Sequence, residues 1–126
     1  MRFAKRVFLF AGLWGIVFLT PMLFLERQVG EQDPPAITHP EFFYGFLACA
    51  LAWQVLFLFL SRDPLRYRTL IIPCILEKVP FGLATIGLFA LGRISGGPLF
   101  GGLVDLLLGA LFAWSYVLLG RLPVSS

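Results

Sequence analysis

Four apolar runs, over residues 7–25, 42–60, 70–91 and 99–119, constrain this chain more than any other feature of it. A helix rising 1.5 Å per residue needs about 20 residues to cross roughly 30 Å of hydrocarbon, and each run has about that length. The runs are apolar all round rather than at a period of 2 or 3.6, which is the pattern of helices surrounded by lipid or by a deep core. A chain of 126 residues cannot bury four such helices in its own core. The expected class is therefore all-α: an integral membrane four-helix bundle forming one domain over residues 1–126. Loop 26–41 lies on one side of it and loop 61–69 on the other. Composition agrees: 59% of residues are hydrophobic and 13% charged, where a soluble domain is about half apolar and a quarter charged.

The start, "MRFAKRVFLFAGLWG", has the basic opening of a signal peptide. Its apolar run is long, however, and ends at Leu25-Glu26 without an A-x-A-like cleavage site, so a retained first helix is expected. Arg2, Lys5 and Arg6 precede the first run, Arg62, Arg66 and Arg68 lie between the second and third, and Arg121 follows the fourth. The other side carries Arg27 and Arg93 only, beside Glu26, Glu31, Asp33 and Glu41. By the positive-inside rule both termini and loop 61–69 are cytoplasmic. Basic residues placed at the ends of spans act as topology signals, so no nucleic-acid partner is expected from the net charge of +3.

The stretch "IIPCILEKVPF" sets Glu77 and Lys78 inside the third run. Counted from Arg68, Glu77 lies about 13 to 14 Å deep, near the midplane. An ionisable group there costs about 2.5 to 3.5 kcal/mol on insertion scales and normally faces the bundle interior or a wet cavity. Adjacent helical residues point about 100° apart, so each is expected to seek a partner on another helix. Asp105, about 9 Å from the outer end of the fourth run, is the expected partner of Lys78, whose long side chain covers the offset. Gln54 is the expected partner of Glu77, because the short loop 61–69 should make the second and third helices neighbours. Trp53, unusually deep for an indole, completes this intramembrane polar group. Gly101, Gly102 and Gly109 share the face of Asp105, as close helix packing in lipid requires. Pro73 and Pro80 bracket Glu77 and should bend the helix near Thr69 and Leu76. The group reads equally as a functional site or as a buried structural network.

Two loops carry further candidates. "ITHPE" matches a capping box from Thr38 to Glu41, with Pro40 in the first turn. His39, Glu41 and Tyr44, with Phe42, then form a possible outer contact surface, or simply a helix start at the membrane face. In "SRDPLRYRTL", Arg66, Tyr67 and Arg68 read as an interfacial anchor for membrane lipids, with a specific lipid or partner site as the alternative. Cys49 and Cys74 sit about 11 Å apart along the membrane normal, beyond disulfide reach, and there is no C-x-x-C. With one histidine and no clustered ligands, neither a metal nor a cofactor is expected. No P-loop, dinucleotide fingerprint or Ser-His-Asp pattern is present.

The basic start, "LTPMLF" at the end of the first run, the outer loop leading to "ITHPEFFYGF", and "DPLRYRTLIIPCILEK" together resemble the small bacterial four-helix inner-membrane proteins of the broad DoxX-like group. Some members of that group accompany membrane oxidoreductases, so the resemblance implies a non-enzymatic accessory subunit bound to another membrane protein or to itself. It assigns no residue. The alternative is a small protein that binds a hydrophobic ligand or couples transport to protons through Glu77, Lys78 and Asp105. A membrane enzyme ranks third.

Overall fold

A computed structural model describes residues 1–123. Five α-helices lie among the described residues: α1 (Arg2–Leu19), α2 (Glu26–Gln32), α3 (Pro40–Arg62), α4 (Ile71–Ala90) and α5 (Gly96–Gly120). Short 3-10 turns extend α1 at Pro21–Phe24 and precede α4 at Arg68–Leu70. Taken with those turns, Arg2–Phe24, Pro40–Arg62, Arg68–Ala90 and Gly96–Gly120 are long and apolar enough to cross a membrane. By length and composition the chain is an integral membrane protein of four spans. The first starts five residues earlier than the apolar run, because lysine and arginine are good helix formers and Arg2, Lys5 and Arg6 join its first turns.

Helix boundaries follow from local chemistry. Pro21 lacks the N–H that would continue α1, and the chain tightens into a 3-10 turn there. The expected capping box does not form: α3 is capped by His39, and no cap side chain bonds the helix. Pro40 is the reason, since the residue before a proline is pushed out of helical conformation and the start moves one residue past Thr38. Loop 26–41, expected to be irregular, holds α2, which stops at Asp33 before Pro34-Pro35. The returning chain crosses closely over α2, where a Cβ on Gly30 would stand 3.1 Å from Ala36 Cα. Past Ala90, Gly92 takes φ +71°. Its N–H bonds Phe89 O at 2.9 Å and the next N–H, of Arg93, bonds Leu88 O at 2.8 Å, a glycine-dependent helix stop.

The two prolines of α4 occupy different positions in the helix. Pro73 lies in the first turn of α4, just after the 3-10 turn, where a missing N–H costs little. Pro80 is inside the helix, which runs unbroken to Ala90 and leaves the Leu76 carbonyl without its usual donor.

α4 with α5 and α1 with α3 form the most extensive interfaces, and α1 against α5 joins the two pairs. α3 and α4, though consecutive, are not among the closely packed pairs. This corrects the expectation that the short loop would make them neighbours: loop 61–69 with its 3-10 turn is long enough to step across the end of the bundle. The helices thus follow the spatial order α3, α1, α5, α4, with three tight seams and one loose one.

Lipid tails are as apolar as leucine, so the seams hold by close contact rather than by a hydrophobic drive. Glycine makes that contact. A Cβ on Gly82 would come within 2.7 Å of Gly102 O, and one on Gly102 would collide with Thr85 Oγ1. In the α1–α3 seam a Cβ on Gly12 would stand 2.7 Å from Leu58 Cδ2, and one on Gly15 would collide with the Gln54 side chain.

The half of the bundle nearest the start of α1 is solid. Phe8 stacks on Phe112 at 4.5 Å, and Phe57 meets Phe112 edge-on at 5.0 Å. Ala4, Ala11, Leu60, Ile71, Cys74, Leu108 and Leu119 fill the space around them. Arg68 closes this end: its Nε donates to Tyr116 O at 3.0 Å, its guanidinium lies 3.8 Å from the Tyr116 ring centroid, and it covers Gly120. The expected anchor at Arg66, Tyr67 and Arg68 is therefore divided. Arg66 is exposed, Tyr67 packs against the core, and Arg68 clamps the start of the third span to the carbonyl end of α5, where a cation is favoured.

Candidate functional site

The other half of the bundle is hollow. A cavity of about 680 Å³ lies between the two helix pairs on the side of the loose α3–α4 seam. Its walls are mostly apolar and come from all four long helices, with Trp14 and Phe18 of α1, Phe46 and Trp53 of α3, Phe81 of α4 and Phe100 of α5 among them. Phe46 and Phe81 stack at 6.0 Å across the loose seam.

The first 3-10 turn and α2 form the roof, through Pro21, Met22, Val29, Gln32 and Asp33. Tyr44 donates its hydroxyl to Glu26 Oε2 at 2.9 Å, tying the start of α2 to α3. At the other end Ser95 Oγ donates to Asp33, tying the end of α2 to the cap of α5. Ser95 therefore does not cap its own helix. The expected outer contact surface is split accordingly. Tyr44 is a roof fastener, whereas His39 and Glu41 pair with each other at 3.4 Å on the exposed surface, and His39 lies 5.1 Å from the Phe42 ring.

The floor is the intramembrane polar group. Lys78, 5% exposed, places Nζ 3.3 Å from Asp105 Oδ1 on α5 and 3.4 Å from Glu77 Oε2 on its own helix. It donates a hydrogen bond to Asp105, while its approach to Glu77 is an ion pair without hydrogen-bond alignment. Nζ also lies 5.3 Å from the Phe57 ring centroid, so the ammonium closes the aromatic core on one side and the cavity on the other. Glu77 and Lys78, adjacent on α4, thus pair with each other, which the 100° spacing argues against for an ideal pair but which a flexible lysine stem permits.

Gln54 does not pair with Glu77. Its Nε2 donates to Ala50 O at 2.9 Å, one turn back on α3, and Ser115 and Thr85 likewise bond carbonyls of their own helices. A polar side chain in a span finds its nearest acceptor on its own backbone first. The Gln54 amide fits the notch left by Gly15, is 1% exposed, and keeps Oε1 without a donor. Glu77 Oε2 is likewise enclosed without a hydrogen bond. Trp53 belongs to the wall beside them.

The small face of α5 divides in two. Gly102 and Gly109 are buried against α4, whereas a Cβ on Gly101 would meet nothing within 4 Å and Gly101 lines the cavity. Cys49 is exposed and lines the cavity, Cys74 is buried in the solid half, and both are free thiols.

The bundle and its cavity define a class, the small four-span helical membrane proteins with a half-open, polar-floored cavity. No protein-family model, curated protein or solved structure matches the chain. The DoxX-like resemblance rests on the helix layout and short motifs that suggest it.

Proposed function

We propose that the protein is an intramembrane binding protein for a small amphiphilic molecule, held with its apolar body among the aromatic walls and its polar head on the floor of Glu77, Lys78, Asp105 and Gln54. The observation that carries this reading is the cavity. At about 680 Å³ it falls within the roughly 300 to 1,000 Å³ of small-molecule sites, and it has the composition of one: mostly apolar lining with a few convergent polar groups. The loose α3–α4 seam, gated by Phe46 and Phe81, gives such a molecule a path from the lipid. Orientation by the positive-inside rule puts the solid half toward the cytoplasm of a bacterial inner membrane and the roof outside.

Transport coupled to this binding is a natural extension, because a fastened roof and a loose side seam give the chamber two possible exits. The accessory-subunit reading has no comparable feature behind it. The exposed apolar residues of the bundle are those that any four-span protein turns to lipid.

The test is extraction of wild type and Gly101→Leu in gentle detergent, with mass spectrometry of the small molecules and proteins retained. A Cβ at 101 would meet nothing within 4 Å, and Gly101 lines the cavity, so a leucine there takes up space the small molecule would occupy. A small molecule held at about one per chain by wild type and lost from a folded Gly101→Leu supports the proposal. A stoichiometric protein partner held by both, with no small molecule, returns the assignment to an accessory subunit.

A further inference from the structure

Resting on the cavity as a binding site, we infer that its occupant carries a cationic N–H head, a protonated amine or guanidinium on an apolar body, rather than an alcohol or an acid. The first ground is charge. The floor sets two carboxyl groups, Glu77 and Asp105, around one ammonium, so its acids outnumber its bases by one at a depth where water is scarce.

The second ground is the hydrogen-bond inventory. Gln54 Oε1, seated against Gly15 at the cavity wall, and Glu77 Oε2, 3.4 Å from Lys78 Nζ but not hydrogen-bonded to it, are both buried acceptors without a hydrogen bond, and Gln54 Nε2 is turned to Ala50 O. An unmet buried acceptor costs about 1 to 3 kcal/mol, so what the floor lacks is N–H or O–H. An alcohol brings one donor and no charge. A primary ammonium brings three donors and the missing charge together.

The third ground is what an anion would meet. Lys78 is 5% exposed, flanked at 3.3 and 3.4 Å by the two carboxylates and set against Phe57. A carboxylate or phosphate head would approach Glu77 and Asp105, each with about a fifth of its side chain exposed, before it reached that ammonium. Above the floor, Trp14, Trp53 and Phe81 are among the lining residues, and aromatic rings attract cations rather than anions over their faces.

The experiment is calorimetric titration of the full chain in lipid nanodiscs with three probes of one carbon skeleton, 4-phenylbutylamine, 4-phenylbutan-1-ol and 4-phenylbutanoate, with empty nanodiscs subtracted. Near neutral pH the amine should bind at least about ten-fold tighter than the alcohol, and the carboxylate more weakly than either. Glu77→Gln should remove most of the amine's advantage, read as the ratio of amine to alcohol affinity in that same variant. Gln54→Met, which keeps the volume and leaves the charges alone, should also weaken the amine, and it serves if the Glu77 variant fails to fold.

Equal binding of amine and alcohol overturns the cationic head and leaves the cavity reading standing. Tightest binding of the carboxylate overturns it in favour of Lys78 as the head contact. Amine binding that survives Gly101→Leu undiminished places the probe elsewhere and overturns the inference. If none of the three probes binds, the inference and the cavity reading fall together.

Discussion

Replacing Lys78 with methionine isolates what the shared ammonium contributes. Methionine keeps nearly the same length and volume against Phe57, so the loss is electrostatic rather than a new void. At 3.3 Å from Asp105 an effective dielectric of about 20 gives roughly 5 kcal/mol of attraction, and the contact with Glu77 is of similar size. Desolvation of the lysine opposes both, and the partly exposed carboxylates are screened. Breaking a buried pair by removing one member typically costs about 3 to 5 kcal/mol, and the lower end suits this site. Lys78→Met should therefore lose about 3 kcal/mol in reversible detergent-induced unfolding. Asp105→Asn, which keeps an acceptor for Nζ, should lose about 1 to 2 kcal/mol. The double variant should lose less than the two together, by about 1 to 3 kcal/mol, because asparagine no longer leaves a carboxylate unmatched. A Lys78→Met protein within about 0.5 kcal/mol of wild type, or strict additivity, would refute the view that this lysine balances two acids.

Gly102→Leu forces a side chain into Thr85 and should destabilise the α4–α5 seam by about 1 to 3 kcal/mol, while Gly101→Leu, one position away, leaves the unfolding midpoint near wild type. Gly15→Ala should destabilise through its collision with Gln54, and adding Gln54→Ala should recover much of the loss, a coupling read from the same unfolding curves. Tyr44→Phe combined with Ser95→Ala releases both fasteners of α2. Global stability should hold, while amide hydrogen exchange quickens in Glu26–Gln32 alone. Arg68→Lys keeps the charge but loses the fork that bonds Tyr116 O and stacks on its ring, so it should loosen the α4–α5 end, visible as faster exchange near Tyr116.

The four spans were legible because lipid demands some twenty apolar residues per crossing, a signal no folding detail can erase. The meeting of Lys78 and Asp105 followed from depth counting along two antiparallel helices, since charges in hydrocarbon have few other partners. Gln54 escaped the same argument. It is neutral, and its own Ala50 carbonyl lies closer than any neighbour. α2 was hidden because seven polar-rich residues carry too short a pattern to separate from a loop. The order α3, α1, α5, α4 was not readable from loop 61–69, which permits both a tight hairpin and a step across the bundle. Nor was the cavity readable: it comes from Gly101, Gly97 and other small residues failing to fill the space the aromatic walls enclose.

The loose seam between consecutive helices bears on how the protein is made. α4 and α5 pair through sequence-local contacts, and α1 can close on α3 as soon as the first two spans have emerged. Each half is then a hairpin that forms before the whole, and the α1–α5 interface is left as the final docking step. Neither half contains the chamber: Gln54 and Trp53 arrive on the early hairpin, and Glu77, Lys78 and Asp105 on the late one. The chain between Arg62 and Arg68 joins the two hairpins, with Pro64 buried and Tyr67 packed against the core. Two fragments divided there and co-expressed should assemble in the membrane and rebuild the site, so that a protein short enough to look indivisible behaves in biogenesis as a dimer of its own halves.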